Sequence, residues 1–208
     1  MFDVEFFIED NGRIPVEEFI TGLKDRKMKA KIFRSLELLE RNGNMLGEPY
    51  SAFLGDGIYE LRIIQSSNIS RILYFFCYGK KIILTNGFIK KTQKTPIKEI
   101  KLAKKEEMII SGRKEKTMGK NYRETLNELM KDPGFKKEWD ALEPECQIIR
   151  AMIDARNEKG ITQKELSSIT GITQGDISKL ENGTANPSIR TLQRIAQGLG
   201  KSLVIQFK

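Results

Sequence analysis

Residues 161–187, ITQKELSSITGITQGDISKLENGTANP, constrain the fold of this chain more than any other stretch. Leu166, Ile169, Ile172, Ile177 and Leu180 recur at intervals that bring one apolar face of each of two short helices onto a common core. Thr162 stands as an N-cap with Glu165 three residues later, the S/T-x-x-E capping box, and Gly171 supplies the positive-φ residue that ends the first helix. Thr173 then caps the second helix, and Gly183 and Pro187 stop it. The remaining polar positions are left to face a ligand.

The first turn of that second helix presents Thr173, Gln174, Gly175 and Asp176, with Ser178 and Lys179 one turn on. A DNA-reading helix-turn-helix places its base-contacting side chains there. The run T-Q-x-E-L, then G-I-x-Q-x-x-I-S-x-L-E-x-G, then P-S-x-x-T-L, resembles the Xre/Cro-type helix-turn-helix of phage repressors and HigA-like antitoxins, over roughly residues 145–207. The resemblance implies operator DNA as partner, Gln163 on a phosphate, and Thr173, Gln174, Asp176, Ser178 and Lys179 at the groove. Asp176 is an odd neighbour for phosphates, although a carboxylate accepts from cytosine N4. One recognition helix reads about half of a palindromic operator, so a homodimer is expected. Residues 201–207 read as a short terminal strand that either edges its own domain or pairs with a twofold mate.

At 208 residues the chain is too long for such a domain alone and suits two small domains with modest cores. No stretch approaches the run of about 18 apolar residues that spans a bilayer. The start, MFDVEFFIEDNG, lacks the basic opening of a signal peptide, so a cytoplasmic protein without a membrane partner is expected. Cys77 and Cys146 then read as buried free thiols rather than a disulfide, and no zinc site is indicated.

Net charge is +8, and +6 of it falls in residues 1–117, where 22 bases stand against 16 acids. Residues 80–116 alone hold 12 bases and 4 acids, including Lys80-Lys81, Lys90-Lys91, Lys94 and Lys104-Lys105. A basic run is ordinarily a solvated face. This one follows a strand pattern, which favours a phosphate-binding surface that takes in Lys80, Lys81 and Lys94.

The N-terminal half reads as a strand at 2–8, one or two helices over 15–42 with Phe19, Ile20, Leu23, Ile32, Leu36 and Leu39 inward, and three or more strands including 57–65, 70–78 and 81–88. A helix from Pro96 to about Glu107 follows. Antiparallel strands behind a helical start predict an α+β domain with its helices on one sheet face, joined to an all-α C-terminal domain. Along the strands Glu60 and Arg62 alternate, Arg71 opens the next strand, and Lys90 and Lys91 follow the third.

The arrangement Y-E-L-R, S-R-I-L-Y-F-F, G-F-I-K-K-T-Q-K-T-P and E-I-x-x-A resembles the HigB-like branch of the RelE toxin superfamily over about residues 1–110. That resemblance implies a metal-free, cofactor-free endonuclease of messenger RNA acting on the ribosome, with Lys80, Lys81 and Lys94 as RNA contacts. Without any histidine in the chain, other groups must move protons. The catalytic candidates are Arg71 and Arg62 for phosphate, Lys90 and Lys91 for charge or proton transfer, and Tyr59 or Tyr50 last, with Glu60 a weaker proton-transfer group. Tyr59, Tyr74 and Tyr78 read equally well as core or edge aromatics, and Glu60 with Arg62 as a cross-strand ion-pair set.

Residues 111–120 read as a linker, or as a junction of two chains opening at Met118-Gly119-Lys120; a natural fusion, an engineered one and two polypeptides numbered together look alike here. Over 121–143, Tyr122, Leu126, Leu129 and Met130 form one helical stripe, Asp132-Pro133-Gly134 breaks it, and Phe135, Trp139 and Leu142 form another. These stripes exceed what the domain over 144–208 needs for its own core, which makes them the candidate surface gripping the N-terminal domain. The whole reads as a toxin and its antitoxin autorepressor. The alternative is a non-enzymatic regulator whose basic N-terminal domain binds an effector or further DNA.

Overall fold

A computed structural model describes residues 1–90, 94–112 and 119–206. They form two units, Met1–Leu142 and Glu143–Lys208. The first runs β1 (Asp3–Phe7), α1 (Pro15–Gly22), α2 (Arg26–Asn42), β2 (Ser51–Gly55), β3 (Ile58–Gln65), β4 (Asn68–Cys77), β5 (Lys81–Ile89), α3 (Ile97–Gly112), β6 (Gly119–Asn121), α4 (Tyr122–Leu129) and α5 (Pro133–Ala141). The second holds α6 (Glu143–Lys159), α7 (Gln163–Thr170), α8 (Gln174–Glu181) and α9 (Ile189–Gly198). Among the described residues no helix is long and apolar enough to cross a membrane. Neither cysteine forms a disulfide, and both are half-buried rather than buried.

The first unit is an α/β domain on one six-stranded sheet of order β2-β3-β4-β5-β1-β6. Its pairs are antiparallel except β1 with β5, where Val4 lies opposite Ile82 in parallel register. Helices cover both faces, not the single face expected from the element order. Leu61, Ile63, Ile72 and Tyr74 are buried on the side of α1 and α2, whereas Ile58, Leu73, Phe75 and Ile83 pack with Ala103 and Ile110 of α3. Both alternating sets of the central strands are apolar, so both faces need cover.

Two short strands escaped the sequence reading. β2 carries only five residues, and β6 falls in the expected linker, of which 113–118 lie outside the described residues. β6 adds to β1 so closely that a Cβ on Gly119 would stand 2.6 Å from the Phe6 carbonyl oxygen.

Behind β6, α4 and α5 pack against α2 as part of the first unit. Phe33 of α2 stacks on Tyr122 (6.4 Å) and meets Phe135 edge-on (6.2 Å), while the Arg34 guanidinium lies 3.6 Å over the Trp139 ring. Buried Glu40 accepts from Tyr122 Oη (3.0 Å) and Arg123 Nε (3.0 Å), and Glu17 accepts from Lys120 Nζ (2.7 Å) and Thr125 Oγ1 (2.6 Å). Asp132 caps α5 at the break and also accepts from Arg26 Nε at 3.1 Å.

In the second unit Leu166, Ile172, Ile177, Leu180, Ile195 and Leu199 share a core with Met152 and Ala155. Ile169, expected inward, is 52% exposed. Three residues of helix turn it about 60° away from Leu166, to the edge of a two-turn helix's buried stripe. Within this unit residues 201–206 do not edge the domain as a strand, and Phe207 lies outside the described residues.

Candidate functional site

The sheet brings Glu60, Arg62 and Arg71 together at one end. Arg62 of β3 and Arg71 of β4 stand directly opposite each other in the antiparallel register, with Glu60 two residues back on the same face. Two like charges in opposed positions repel, and the carboxylate offsets this. Glu60 is fully buried, accepting from Arg62 Nε at 2.8 Å through Oε1 and from Arg71 Nη1 at 2.8 Å through Oε2. Thr95, just ahead of α3, closes the cluster: its hydroxyl donates to Glu60 Oε2 and accepts from Arg71 Nη1. The outer face of Arg62 reaches Glu48 at 3.2 Å.

Exposure separates the two guanidiniums. Arg71, the first sequence candidate, is only 5% exposed, while the Arg62 side chain is 33% exposed. Arg62 is therefore the group that solvent and solutes reach, and Arg71 backs it. Lys90 lies just past β5, two residues beyond Phe88, the register partner of Arg71, and its backbone N–H donates to the Ile69 carbonyl at 2.7 Å. Lys94 is exposed beside Thr95, and Lys91 lies outside the described residues.

The other candidates stand elsewhere. Tyr59 alternates to the opposite face of the sheet, where it stacks on Tyr74 (5.4 Å) and touches Phe53 and Phe76. Burial pushes the Tyr74 hydroxyl up to about 12, although Ser51 hydrogen-bonds it. Tyr50 is buried ahead of β2, its carbonyl accepting from the Arg62 backbone N–H. Lys80 and Lys81 stand at the start of β5, about 30 Å along the strand from Lys90, and Lys81 Nζ is taken by Glu5 Oε1 at 2.5 Å.

Thr95, Thr85 and Asn86 were not singled out from the sequence. A register irregularity between Ile72 and Tyr74 sets both Thr85 and Asn86 against Leu73, where Thr85 Oγ1 donates to Asn86 Oδ1 (2.8 Å) and Asn86 Nδ2 to Glu99 of α3 (2.9 Å). The T-P pair before a helix was the available signal for Thr95: Pro96 immediately precedes α3, and the preceding hydroxyl faces the sheet end. Among the described residues no group of three or more His, Cys, Asp or Glu side chains is arranged to hold a metal.

In the second unit the capping box is complete, Thr162 Oγ1 accepting from Glu165 N (3.2 Å) and Glu165 Oε2 from Thr162 N (2.7 Å). Gly171 turns the chain at φ +67°, as the short turn requires. Thr173, Gln174 and Asp176 are exposed at the start of α8, Lys179 follows exposed, and Ser178 is half-buried. Asp176 is bound to Thr173 Oγ1 (2.8 Å) and Lys179 Nζ (3.1 Å), which hold its carboxyl below the usual range. Gln163 instead turns inward, Nε2 donating to buried Glu181 at 2.7 Å.

Residues 18–107 match the family described as phage-derived protein Gp49-like (DUF891), and residues 152–206 match the helix-turn-helix family. The chain joins a Gp49-like domain to a helix-turn-helix domain. An uncharacterized HTH-type transcriptional regulator of Haemophilus influenzae is 38% identical over 58 residues, 28% of this chain and 59% of that protein. The regulator y4dJ of Sinorhizobium fredii is 47% identical over 49 residues, 24% of this chain and 64% of its own length. The Gp49-like and helix-turn-helix chain thus spans about three fifths of the curated relatives it matches first. Among solved structures, a toxin-antitoxin module from Streptococcus pneumoniae aligns at TM-score 0.33 and 31% identity, over 44% of this chain and 97% of that one.

Proposed function

We propose that this chain is a type II toxin-antitoxin module of the HigB–HigA kind. In this reading the Gp49-like unit is a metal-independent endoribonuclease that cleaves messenger RNA on the ribosome. Residues 119–142 are the antitoxin segment that clasps it, and residues 143–208 bind operator DNA as a dimeric autorepressor.

The observation that carries the enzymatic part is the Glu60-braced guanidinium pair at the end of the sheet. Cleavage by attack of a 2′-hydroxyl on the adjacent phosphate needs charge on the pentacoordinate phosphorus and a route for one proton off the 2′-oxygen and one onto the leaving 5′-oxygen. Arg62 forks onto the phosphate oxygens, Arg71 sustains the field behind it, and Lys90 adds charge or carries the proton. Both oxygens of Glu60 are occupied, which suits a holder of arginines rather than a base. The clasp packs on the side of α1 and α2, across the sheet from this cluster, which favours inhibition by bulk over occupation of the site.

The test is induction of residues 1–117 in cells, with and without residues 118–208 supplied separately. Growth arrest with cut transcripts, rescued by the second piece and lost in Arg62→Ala, is the expected result. Unaffected growth with intact transcripts overturns the toxin in favour of a non-enzymatic regulator, and cleavage of naked RNA without added ribosomes overturns the ribosome step.

A further inference from the structure

A second polar site lies in the first unit, apart from the guanidinium pair. A cleft of about 320 Å³ opens between the turn after β1 and the later half of α3. That volume is about ten times one water's share of the liquid, about 30 Å³. Phe7, Leu102 and Ile109 give it apolar walls, Glu9, Asp10 and Glu106 give it carboxylates, and Asn11 and Lys105 complete the lining. Glu106 is 3% exposed, and its Oε2 is buried without a hydrogen-bond partner. An unpaired buried carboxylate is costly, and the cost disappears when a donor or a cation enters.

We propose that this cleft binds a cation carried on an aliphatic stem, an alkylguanidinium or alkylammonium, with the stem against Phe7, Leu102 and Ile109 and the head on Glu106. The division of walls matches that chemistry, since such groups lay methylenes on apolar surface and seek carboxylate at the tip. Burial, reinforced by the charge of Glu9, raises the Glu106 carboxyl to about 8, against the opposing pull of Lys105. Asp10 adds negative charge at the rim, and Arg13, 3.7 Å from Glu9, partly offsets it. A bound cation stabilises the ionised form, so binding expels the proton. None of this depends on the ribonuclease reading.

Calorimetric titration of the full chain with agmatine, and with a Gly-Arg-Gly peptide, tests the site at pH 7. Saturable binding of either probe, weakened at least tenfold in Glu106→Gln, is the expected result. A carboxyl with a pKa near 8 is about nine-tenths protonated at pH 7, so the wild type should release close to one proton per ligand, read from the difference in heat between phosphate and Tris buffers. Equal affinity of wild type and Glu106→Gln, or binding without proton release, overturns the proposal, as does the absence of heat with both probes. A peptide that binds at least tenfold tighter than agmatine assigns the site to a protein side chain, and the reverse order to a small free cation.

Discussion

Each unit of this molecule contains one fully buried glutamate that accepts from arginine, and the two produce different results. Glu181 takes both Nε (2.9 Å) and Nη2 (3.3 Å) of Arg156 together with the amide of Gln163, while Arg156 Nη1 goes to the Ile161 carbonyl at 3.1 Å. One carboxylate meets one guanidinium, the charges cancel inside, and α6, α7 and α8 are tied by a brace with nothing left over. Glu60 faces two guanidiniums instead, and the charge of the second is met at the surface, where Arg62, one third exposed, reaches the exposed Glu48 at 3.2 Å. On the proposed reading, a buried ion pair is a brace when both partners are enclosed and a binding device when solvent reaches one guanidinium.

The comparison breaks most readily at the two arginines. Arg62→Ala should lower RNA cleavage by the unclasped unit at least 100-fold, the size of losing one transition-state charge contact, while its melting temperature moves little because the side chain is partly solvated. Arg156→Ala should do the reverse, costing about 3–5 kcal/mol as buried Glu181 loses its guanidinium and keeps the Gln163 amide; calorimetry of the full chain would show the loss in the transition of the second unit. Equal stability effects at both sites would erase the distinction between brace and binding device.

Trp139→Ala should destabilise the clasp by about 3 kcal/mol through lost burial and the lost Arg34 contact. With residues 118–208 supplied separately, rescue of growth should fail. A smaller effect sharpens the role of Thr95: Thr95→Val removes a bond to Glu60 and one from Arg71, and should cost about 1 kcal/mol in denaturant unfolding while leaving Arg62 in place.

The smallest change concerns Glu106. Its folded pKa, about 8, lies above the ordinary carboxylate value, so the folded state holds the proton that the unfolded chain gives up. Stability is therefore fully present below about pH 4.3 and falls as pH rises toward 8. Glu106→Gln should remove that fall, with a gain at pH 8 and almost nothing at pH 4. A mutant as pH-sensitive as the wild type would place the titration on another group.

The two halves differed in how much they disclosed beforehand. The helix-turn-helix was legible almost residue by residue, because caps, the φ +67° glycine and the apolar spacing are local rules. The facing of Gln163 was not, since it depends on Glu181, eighteen residues away. In the first unit the strands announced themselves as β-branched and aromatic runs between turn residues, and Glu60, Arg62 and Arg71 could be grouped. Tyr59 sat next to Glu60 in sequence and yet on the other side of the sheet, because side chains alternate along a strand. Thr95 and the pairing of β1 with β5 required tertiary closure, which no short window of sequence encodes.

β6 gives the clasp a second consequence. Without residues 119–121 the sheet would end at β1, four of whose five residues are buried, and its outer row of amides and carbonyls would lie open to any passing strand. On the proposed reading, the segment that clasps residues 1–112 is thus also what keeps their sheet edge from recruiting other chains. A unit released from its clasp is exposed to self-association, so its free lifetime is set by its own concentration.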